Sequence, residues 1–200
     1  SEEEIQKAFR PNTKCLFGET ISNPGCEVLD IEKFARIAHK NGVPLIVDNT
    51  FATPINCRPF EWGADIVTHS TTKYMDGHAT AVGGVIVDSG NFDWEAHADK
   101  FPGLTTPDES YHGLTYTKAF GKMAYMTKAT AQLMRDLGSI QSPQNAFLLK
   151  SIELTKRADN QLKLVLLSIS FMRYCSTTLL VLQYFLSGTG VSVKWYCDIC

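Results

Sequence analysis

A lysine that follows a run of hydroxyl side chains is the feature of this sequence with the clearest chemical potential. The segment from Ala64 to His78 opens with apolar, β-branched residues and then turns polar at Ser70, Thr71, Thr72 and Lys73. Hydroxyls beside a lysine at the carboxyl end of a strand suit an anionic group held next to an amine nucleophile. A phosphate-bearing aldehyde cofactor needs this combination, because hydroxyls bind the phosphate and the amine forms a Schiff base. An isolated string of this kind is more often a surface lysine in a polar loop, so the interpretation depends on the rest of the chain.

A serine-hydrolase interpretation of the same segment is weaker. Ser70 would be the nucleophile, with His78 as base and Asp65 or Asp76 as the orienting acid. The glycine pattern of a nucleophile elbow does not surround Ser70, which disfavours this chemistry. We expect His69 and His78, which flank the lysine, to pack or hydrogen-bond structurally.

Composition and charge limit the class of protein and its partners. The chain has 200 residues, of which 44% are hydrophobic and 20% charged, enough for one large domain or one domain and part of a second. Its formal net charge is −2, and it has no basic run, which excludes nucleic acid and anionic membrane surfaces as expected partners. Six scattered cysteines and the absence of a signal-peptide pattern predict reduced thiols in a cytoplasmic protein.

Alternating strand and helix patterns predict an α/β domain with a largely parallel sheet. Ser1 begins a capping box before a short helix, and Asp30 begins a second helix that ends at Asn41 and Gly42. Short apolar runs predict strands at residues 14–17, 43–47, 66–67 and 84–87.

Polar side chains follow three of these predicted strands where each strand ends. Glu19 and Asn23 follow the first strand, Asp48 follows the second, and Ser70 and Lys73 follow the third. Because ligands bind beyond the carboxyl ends of parallel strands, the sequence predicts one binding site at this edge of the sheet.

The second half of the chain carries other patterns. Residues 91–116 are rich in loops and rings, which favours a binding loop or an interface. An amphipathic pattern predicts a long helix over residues 120–137, closed by Gly138, and Ser142 starts another.

The apolar segment from Leu162 to Leu186 has the length of a membrane span. Arg173 lies at the centre of this segment, which favours a buried helix, or a tail that does not fit the fold, over a membrane span. We therefore expect no membrane association.

Several motifs together resemble the Cys/Met-metabolism family of pyridoxal-phosphate enzymes. They are VDNTFATP at residues 47–54, WGADIV at residues 62–67, and STTKY at residues 70–74 with a following Gly-His pair. The resemblance covers about residues 1–150. Residues 78–88, 92–94, 101–104 and 111–114 are most similar to family members that act on O-acetylhomoserine. Cystathionine synthases, cystathionine lyases and methionine γ-lyases differ there.

The resemblance implies a fold, a cofactor and a reaction. The fold would be an incomplete large domain of the type I, aspartate-aminotransferase-like class, in which a mostly parallel sheet is flanked by helices. Pyridoxal 5'-phosphate would serve a γ-replacement in which O-acetylhomoserine and sulfide or a thiol give homocysteine or a thioether and acetate. The family implies a cytoplasmic homo-oligomer, a homotetramer. Alternatives are cystathionine γ-synthase, cystathionine γ-lyase or methionine γ-lyase chemistry, or a non-catalytic fragment.

The same resemblance assigns roles to five residues and none to a metal. Lys73 would be the Schiff-base lysine, and Asp48 the partner of the pyridinium nitrogen. Ser70 and Thr72 would bind the phosphate, and Asn23 would lie beside the phenolic oxygen. Asn23 has an alternative, because Asn-Pro is a common turn.

Several parts of the family pattern have no counterpart in these residues. The N-terminal arm and the Gly-rich phosphate turn belong before the position of Ser1, which favours a fragment or a processed product. Residues 151–200 diverge, as a truncated or aberrant start of the C-terminal domain, and no arginine there matches the one that binds the substrate carboxylate. We therefore expect residues 1–150 to be the cofactor-binding portion and the isolated chain to be inactive.

Overall fold

A mixed β-sheet organises the chain in the computed structural model, which describes residues 1–138 and 140–149 in full. Residues 180–187 and 190–197 are described by their backbone. The six strands follow one another across the sheet in chain order. They are β1 (Leu16–Glu19), β2 (Leu45–Asp48), β3 (Ile66–Ser70), β4 (Gly84–Asp88), β5 (Leu180–Ser187) and β6 (Gly190–Cys197).

The predicted parallel arrangement is confirmed for β1, β2 and β3. β4 runs antiparallel to β3, because the loop that joins them returns directly and contains no crossover helix. β5 pairs in parallel with β4, and β6 pairs antiparallel with β5.

Helices connect and flank the strands. They are α1 (Glu2–Ala8), α2 (Ile31–Lys40), α3 (Thr53–Asn56), α4 (Pro102–Thr105), α5 (Tyr116–Phe120), α6 (Ala124–Lys128), α7 (Arg135–Leu137) and α8 (residues 143–149). Short 3₁₀ helices cover Pro59–Trp62, Glu109–Tyr111 and Gly121–Met123, and a π-helix covers Ala129–Met134.

Three predicted helix starts are confirmed by their caps. The Ser1 hydroxyl accepts from the Glu4 amide as part of a complete capping box. The Asp30 carboxylate accepts from the Lys33 amide at 3.0 Å, and the Ser142 hydroxyl accepts from the amide of residue 145 at 3.1 Å. Each cap satisfies a backbone donor that the first helical turn leaves unpaired.

The predicted long helix over residues 120–137 is wrong in two respects. It begins earlier, with α5, and it is interrupted at Gly121, whose φ of 53° and ψ of −123° are not helical. Beyond α6 the backbone widens into the π-helix before α7 ends at Gly138. The apolar residues of the sequence keep their helical spacing through the interruption, because the same face of this segment packs on the domain on both sides of Gly121.

Each face of the sheet carries its own hydrophobic core. On one face, α2 packs its Ala35 and Ala38 against Leu45, Val67 and neighbouring strand residues. On the opposite face, Ile66 of β3 and Ile86 of β4 pack with residues of the later chain, which are Phe92, Trp94, Leu104, Tyr116, Ala124 and Met126. Alternate strand residues point to opposite faces, so this division follows from the strand period of two.

The rings of residues 91–116 form part of the second core. Phe92 and Trp94 are buried, with ring centroids 4.7 Å apart, and Trp94 stacks on Tyr125 at 5.5 Å. Tyr111 stacks on Tyr116 at 5.5 Å. The expectation of a binding loop or an interface is therefore wrong for Phe92, Trp94 and Tyr116, which are buried in the interior of the domain.

The C-terminal expectations fall largely outside the described residues. Of the apolar segment from Leu162 to Leu186, residues 162–179 lie outside them, and residues 180–186 belong to β5. The predicted divergent tail, residues 151–200, is described only where it forms β5 and β6. Within the described part of the chain, no helix has the length and apolar character needed to cross a membrane.

Candidate functional site

The carboxyl ends of β1, β2 and β3 lie side by side at one edge of the sheet. In the strand register Glu19 is opposite Asp48, and Asp48 is opposite Thr68. Asp48 and Ser70 end neighbouring parallel strands and, by the strand period of two, project on the face of the second core. The predicted convergence of polar strand ends on one edge is confirmed.

A chain of hydrogen bonds joins Asp48 to Ser70 through Thr50. The Thr50 amide and hydroxyl both donate to Oδ1 of Asp48, at 2.9 and 2.5 Å. The Ser70 amide donates to the Thr50 hydroxyl oxygen at 2.8 Å. Both Thr50 bonds use Oδ1 of Asp48, and neither uses Oδ2. Sequence reasoning missed Thr50, although a hydroxyl two residues after a strand-end Asp is a known turn signal.

The Ser70 hydroxyl is buried and has no hydrogen-bond partner among the residues that the structure describes. Buried polar groups in folded proteins are nearly always paired, so an unpaired one calls for an explanation. Its position beside the Asp48–Thr50 pair makes it a donor available to a ligand at the sheet edge.

Lys73 lies on the loop that leaves the same edge. It is half-buried, and its amide donates to the Ser70 carbonyl at 3.2 Å, which ties the lysine backbone to the end of β3. Aldehyde capture requires an amine in this kind of partly desolvated position. The structure therefore brings Lys73, Ser70 and Asp48 to one region, as predicted.

The Thr72 hydroxyl is engaged in closing this loop. It donates to the Gly83 carbonyl at 3.1 Å and accepts from the Gly83 amide at 2.9 Å. A hydroxyl has one proton, so Thr72 must rotate away from Gly83 before it can donate to a phosphate.

Asn23 lies on the loop after β1 and is exposed. Its backbone amide donates to the Glu19 carboxylate at 3.0 Å. The structure thus links Asn23 to Glu19 and places it at the same edge, but it does not join Asn23 to the Asp48–Thr50–Ser70 chain.

The two flanking histidines differ in environment. Burial lowers the pKa of His69 to about 4, against the opposing effect of a hydrogen bond with the Asn49 backbone. His69 is therefore a neutral packing residue at pH 7, as expected, whereas His78 is exposed.

A second group of titratable side chains lies at the opposite end of the strands. Asp65, just before β3, accepts from the Leu45 amide at 2.8 Å and contacts the His39 ring at 2.7 Å. Burial raises the pKa of Asp88, at the end of β4, to about 7, and the charge of Asp65 adds to this rise. The strand register separates this group from Lys73 by the length of β3.

Comparison with known proteins gives the chain a family. The description "Cys/Met metabolism PLP-dependent enzyme" belongs to the family that matches residues 1–154. A homocysteine/cysteine synthase from Saccharomyces cerevisiae is 46% identical over 169 residues, which cover 81% of this chain and 38% of the relative. An O-acetyl-L-homoserine sulfhydrylase from Corynebacterium glutamicum is 48% identical over 148 residues, or 72% of this chain and 34% of the relative.

Solved structures give the same result for the fold. An O-acetylhomoserine (thiol)-lyase from Campylobacter jejuni superposes with a TM-score of 0.72 at 35% identity, covering 79% of this chain and 38% of that one. That structure carries N'-pyridoxyl-lysine-5'-monophosphate. The mixed sheet and its helices are therefore an incomplete large domain of the type I class, as predicted.

The chain spans well under half the length of these relatives. The family match nevertheless covers most of the chain, and the fold comparison agrees with it. This chain belongs to the Cys/Met metabolism PLP-dependent enzyme family.

Proposed function

We propose that this chain forms the cofactor-binding portion of an enzyme for sulfur amino-acid biosynthesis. The reaction is a γ-replacement that converts O-acetyl-L-homoserine and sulfide, or a thiol, to homocysteine, or a thioether, and acetate. The relatives named homocysteine synthase and O-acetyl-L-homoserine sulfhydrylase support this assignment. Residues 1–150 supply the cofactor site, and residues 151–200 stand where the C-terminal domain begins.

One observation carries the proposal: the hydrogen-bond chain from Asp48 to Ser70, whose hydroxyl is unpaired among the described residues and lies beside the lysine loop. A phosphate-bearing aldehyde requires a donor for the phosphate, an amine for the aldehyde and an anion for the ring nitrogen. Ser70, Lys73 and Asp48 supply these groups, so the residues present fit pyridoxal phosphate.

Each side chain has a separate role. When bound, the cofactor provides an electron sink for a carbanion on the substrate. Asp48 holds a proton on the ring nitrogen, because its ionised carboxylate favours the charged form of that nitrogen. Ser70 donates its free hydroxyl to the phosphate, and Thr72 adds a second donor after rotation. The Lys73 amine would hold the aldehyde carbon and, once the substrate's amino group has displaced it, would be free to move protons at the substrate carbons.

The family position also supports a homo-oligomeric state and a cytoplasmic location. Where side chains are described, the three cysteines Cys15, Cys26 and Cys57 are free thiols. Free thiols are typical of a reducing compartment. Asn23 is proposed to lie near the cofactor's phenolic oxygen through its place at the same sheet edge.

The cofactor assignment is tested by trapping. The chain is incubated with pyridoxal phosphate, reduced with borohydride and mapped by peptide mass spectrometry. We expect the label on the peptide with Lys73, its loss in Lys73→Ala and its retention in Lys40→Ala, which removes an exposed helical lysine. Label spread over surface lysines and unchanged in Lys73→Ala contradicts the assignment.

The reaction is tested in a chimera, in which residues 1–149 replace the matching segment of the Corynebacterium relative. We expect homocysteine from O-acetylhomoserine and sulfide, and none after Lys73→Ala in the chimera. Cystathionine formation from added cysteine, with no homocysteine from sulfide, identifies cystathionine synthesis instead.

A further inference from the structure

The loop of residues 71–83 carries Lys73 and is anchored at both ends on the site edge. Ser70 and Gly84 are opposite each other in the β3–β4 register. Thr72 and Gly83 continue this pairing by three hydrogen bonds, two through the hydroxyl and one from the Thr72 amide to the Gly83 carbonyl at 3.2 Å. The base of the loop is thus fixed, and the placement of Lys73 depends on what orders the loop above it.

Asp76 lies inside this loop and is 1% exposed. Its Oδ2 accepts from the Thr80 amide at 2.8 Å and from the Ala81 amide at 3.3 Å. The Thr80 hydroxyl approaches the same oxygen at 3.4 Å. One oxygen of a buried side chain therefore holds the returning arm of the loop.

The Asp76 backbone holds the outgoing arm. Its amide donates to the Thr71 carbonyl at 2.8 Å, while the Lys73 amide donates to the Ser70 carbonyl at 3.2 Å. Lys73 consequently sits within a turn that is closed on both sides. Asp76 joins that turn to Thr80 and Ala81, so the two arms of the loop are connected through one residue.

We propose that Asp76 is a positioning residue for Lys73. Its carboxylate holds the arms of the loop together and so fixes the lysine backbone relative to the Ser70 hydroxyl. This inference rests on the proposed function of Lys73. Misplacement of a reacting group by about 1 Å reduces rates roughly a hundredfold. A residue that sets the position of the lysine therefore acts on the chemistry without touching the ligand.

The test compares Asp76→Ala with Asp76→Asn, whose amide oxygen still accepts from Thr80 and Ala81. Asp88→Ala is the matched control, because it removes another buried carboxylate that accepts a backbone amide, at the other end of β4. Two measurements are made on the full chain: borohydride-trapped pyridoxal phosphate on Lys73, and hydrogen exchange of the amides in residues 71–83. Circular dichroism and thermal unfolding record whether each variant is folded at the working temperature.

We expect Asp76→Ala to reduce the Lys73 label about tenfold and to speed exchange at Thr80 and Ala81 at a temperature where the fold is intact. Asp76→Asn should restore most of both signals, and Asp88→Ala should change neither within this loop. Unchanged labelling and exchange in Asp76→Ala overturn the proposal, as does equal loss in Asp88→Ala. If the unsubstituted chain gives no Lys73 label, the proposed function fails, and the exchange data alone decide whether Asp76 orders the loop.

Discussion

Thr50 shows how one hydroxyl can connect two residues with different roles. Its oxygen donates to Asp48 and accepts from the Ser70 amide, so the carboxylate and the end of β3 cannot move independently. Hydrogen bonds to a charged group contribute roughly 1.5–3 kcal/mol each. The orientation of the Asp48 carboxylate therefore depends on Thr50, and so does the contact that we propose between Asp48 and a ring nitrogen.

Thr50→Val should raise the dissociation constant for pyridoxal phosphate roughly 10- to 100-fold, because about 1.4 kcal/mol corresponds to a factor of ten. Thr50→Ser retains the hydroxyl and should bind nearly as the unsubstituted chain. An absorbance titration measures both, with Thr106→Val as a control that removes an exposed hydroxyl bonded to Pro102. Equal affinities for Thr50→Val and the unsubstituted chain would remove Thr50 from the site.

At the scale of residues, sequence motifs identify candidate groups by the chemistry of their own side chains. Lys73, Ser70 and Asp48 were predicted because an amine, a hydroxyl and a carboxylate at strand ends indicate chemistry directly. Thr50 and Asp76 were not assigned roles in the site, since their importance depends on which strand or loop arm lies opposite. The hydrogen bonds between Thr72 and Gly83 were not predicted for the same reason.

Among the elements, the interrupted helix after residue 116 depends on one glycine. At Gly121 the backbone adopts a positive φ of 53° with ψ of −123°, and a Cβ added there meets nothing within 4 Å. A substitution at this position is therefore opposed by backbone conformation alone.

Gly121→Ala should lower the free energy of unfolding by about 1–2 kcal/mol, because the conformation is strained for any residue with a Cβ. Gly103→Ala is the control: it lies in α4, where alanine is favoured, and its Cβ makes an ordinary 3.7 Å contact. Urea denaturation compares the two variants. A Gly121→Ala chain as stable as Gly103→Ala would show that the helix can pass through this point.

The antiparallel pairing of β3 with β4 places two carboxylates at the same end of the sheet. Ile66, which follows Asp65, is opposite Asp88 in the register. Burial raises the pKa of both groups, and Tyr125 is a further titratable neighbour of Asp88. Asp88 therefore keeps its proton in the folded chain at pH values where the unfolded chain has lost it.

The stability that this proton confers is complete below the unfolded pKa, near 3.8, and is lost as the pH rises through about 7. One pKa unit corresponds to roughly 1.4 kcal/mol, so the loss should reach roughly 2–4 kcal/mol. Asp88→Asn keeps an acceptor for the Gly90 amide and removes the titration, and so should flatten the dependence between pH 4 and 7. Urea denaturation across this range tests it, with the exposed Asp93→Asn as control. An unchanged slope in Asp88→Asn would assign the pH dependence to other groups.

Element types were more predictable than their connections. Apolar runs located the four strands within the first 90 residues to within two or three positions, because a buried strand needs such a run. The direction of β4 was not predictable from its own residues, since its composition is the same in either orientation. The break at Gly121 was also missed, because hydrophobic period reports the packed face and not the backbone conformation.

For the molecule as a whole, β1 forms one edge of the sheet. It has one neighbour among the described strands, and its Phe17 side chain is 56% exposed. Edge strands with exposed apolar side chains pair readily with other chains.

We expect the chain to self-associate with rising concentration and Phe17→Lys to reduce this association. Ile55→Lys changes an equally exposed residue on α3 and should have a smaller effect. Light scattering after size-exclusion chromatography, at several loading concentrations, measures both. Identical mass profiles for Phe17→Lys and the unsubstituted chain would locate the association on another surface.

The return of β4 beside β3 has a consequence for how the lysine loop can vary. The connections after β1 and β2 cross to the far end of the sheet, whereas the lysine loop comes back to the edge it left. Its tip, at His78 and Ala79, lies beyond the bonds of Thr72, Asp76 and Gly83 and carries exposed or half-buried side chains. Extra residues inserted at the tip would lengthen only the part of the loop that lies beyond these hydrogen bonds. Insertions at the tip would therefore change the surface around the proposed site while the backbone of Lys73 stays in place.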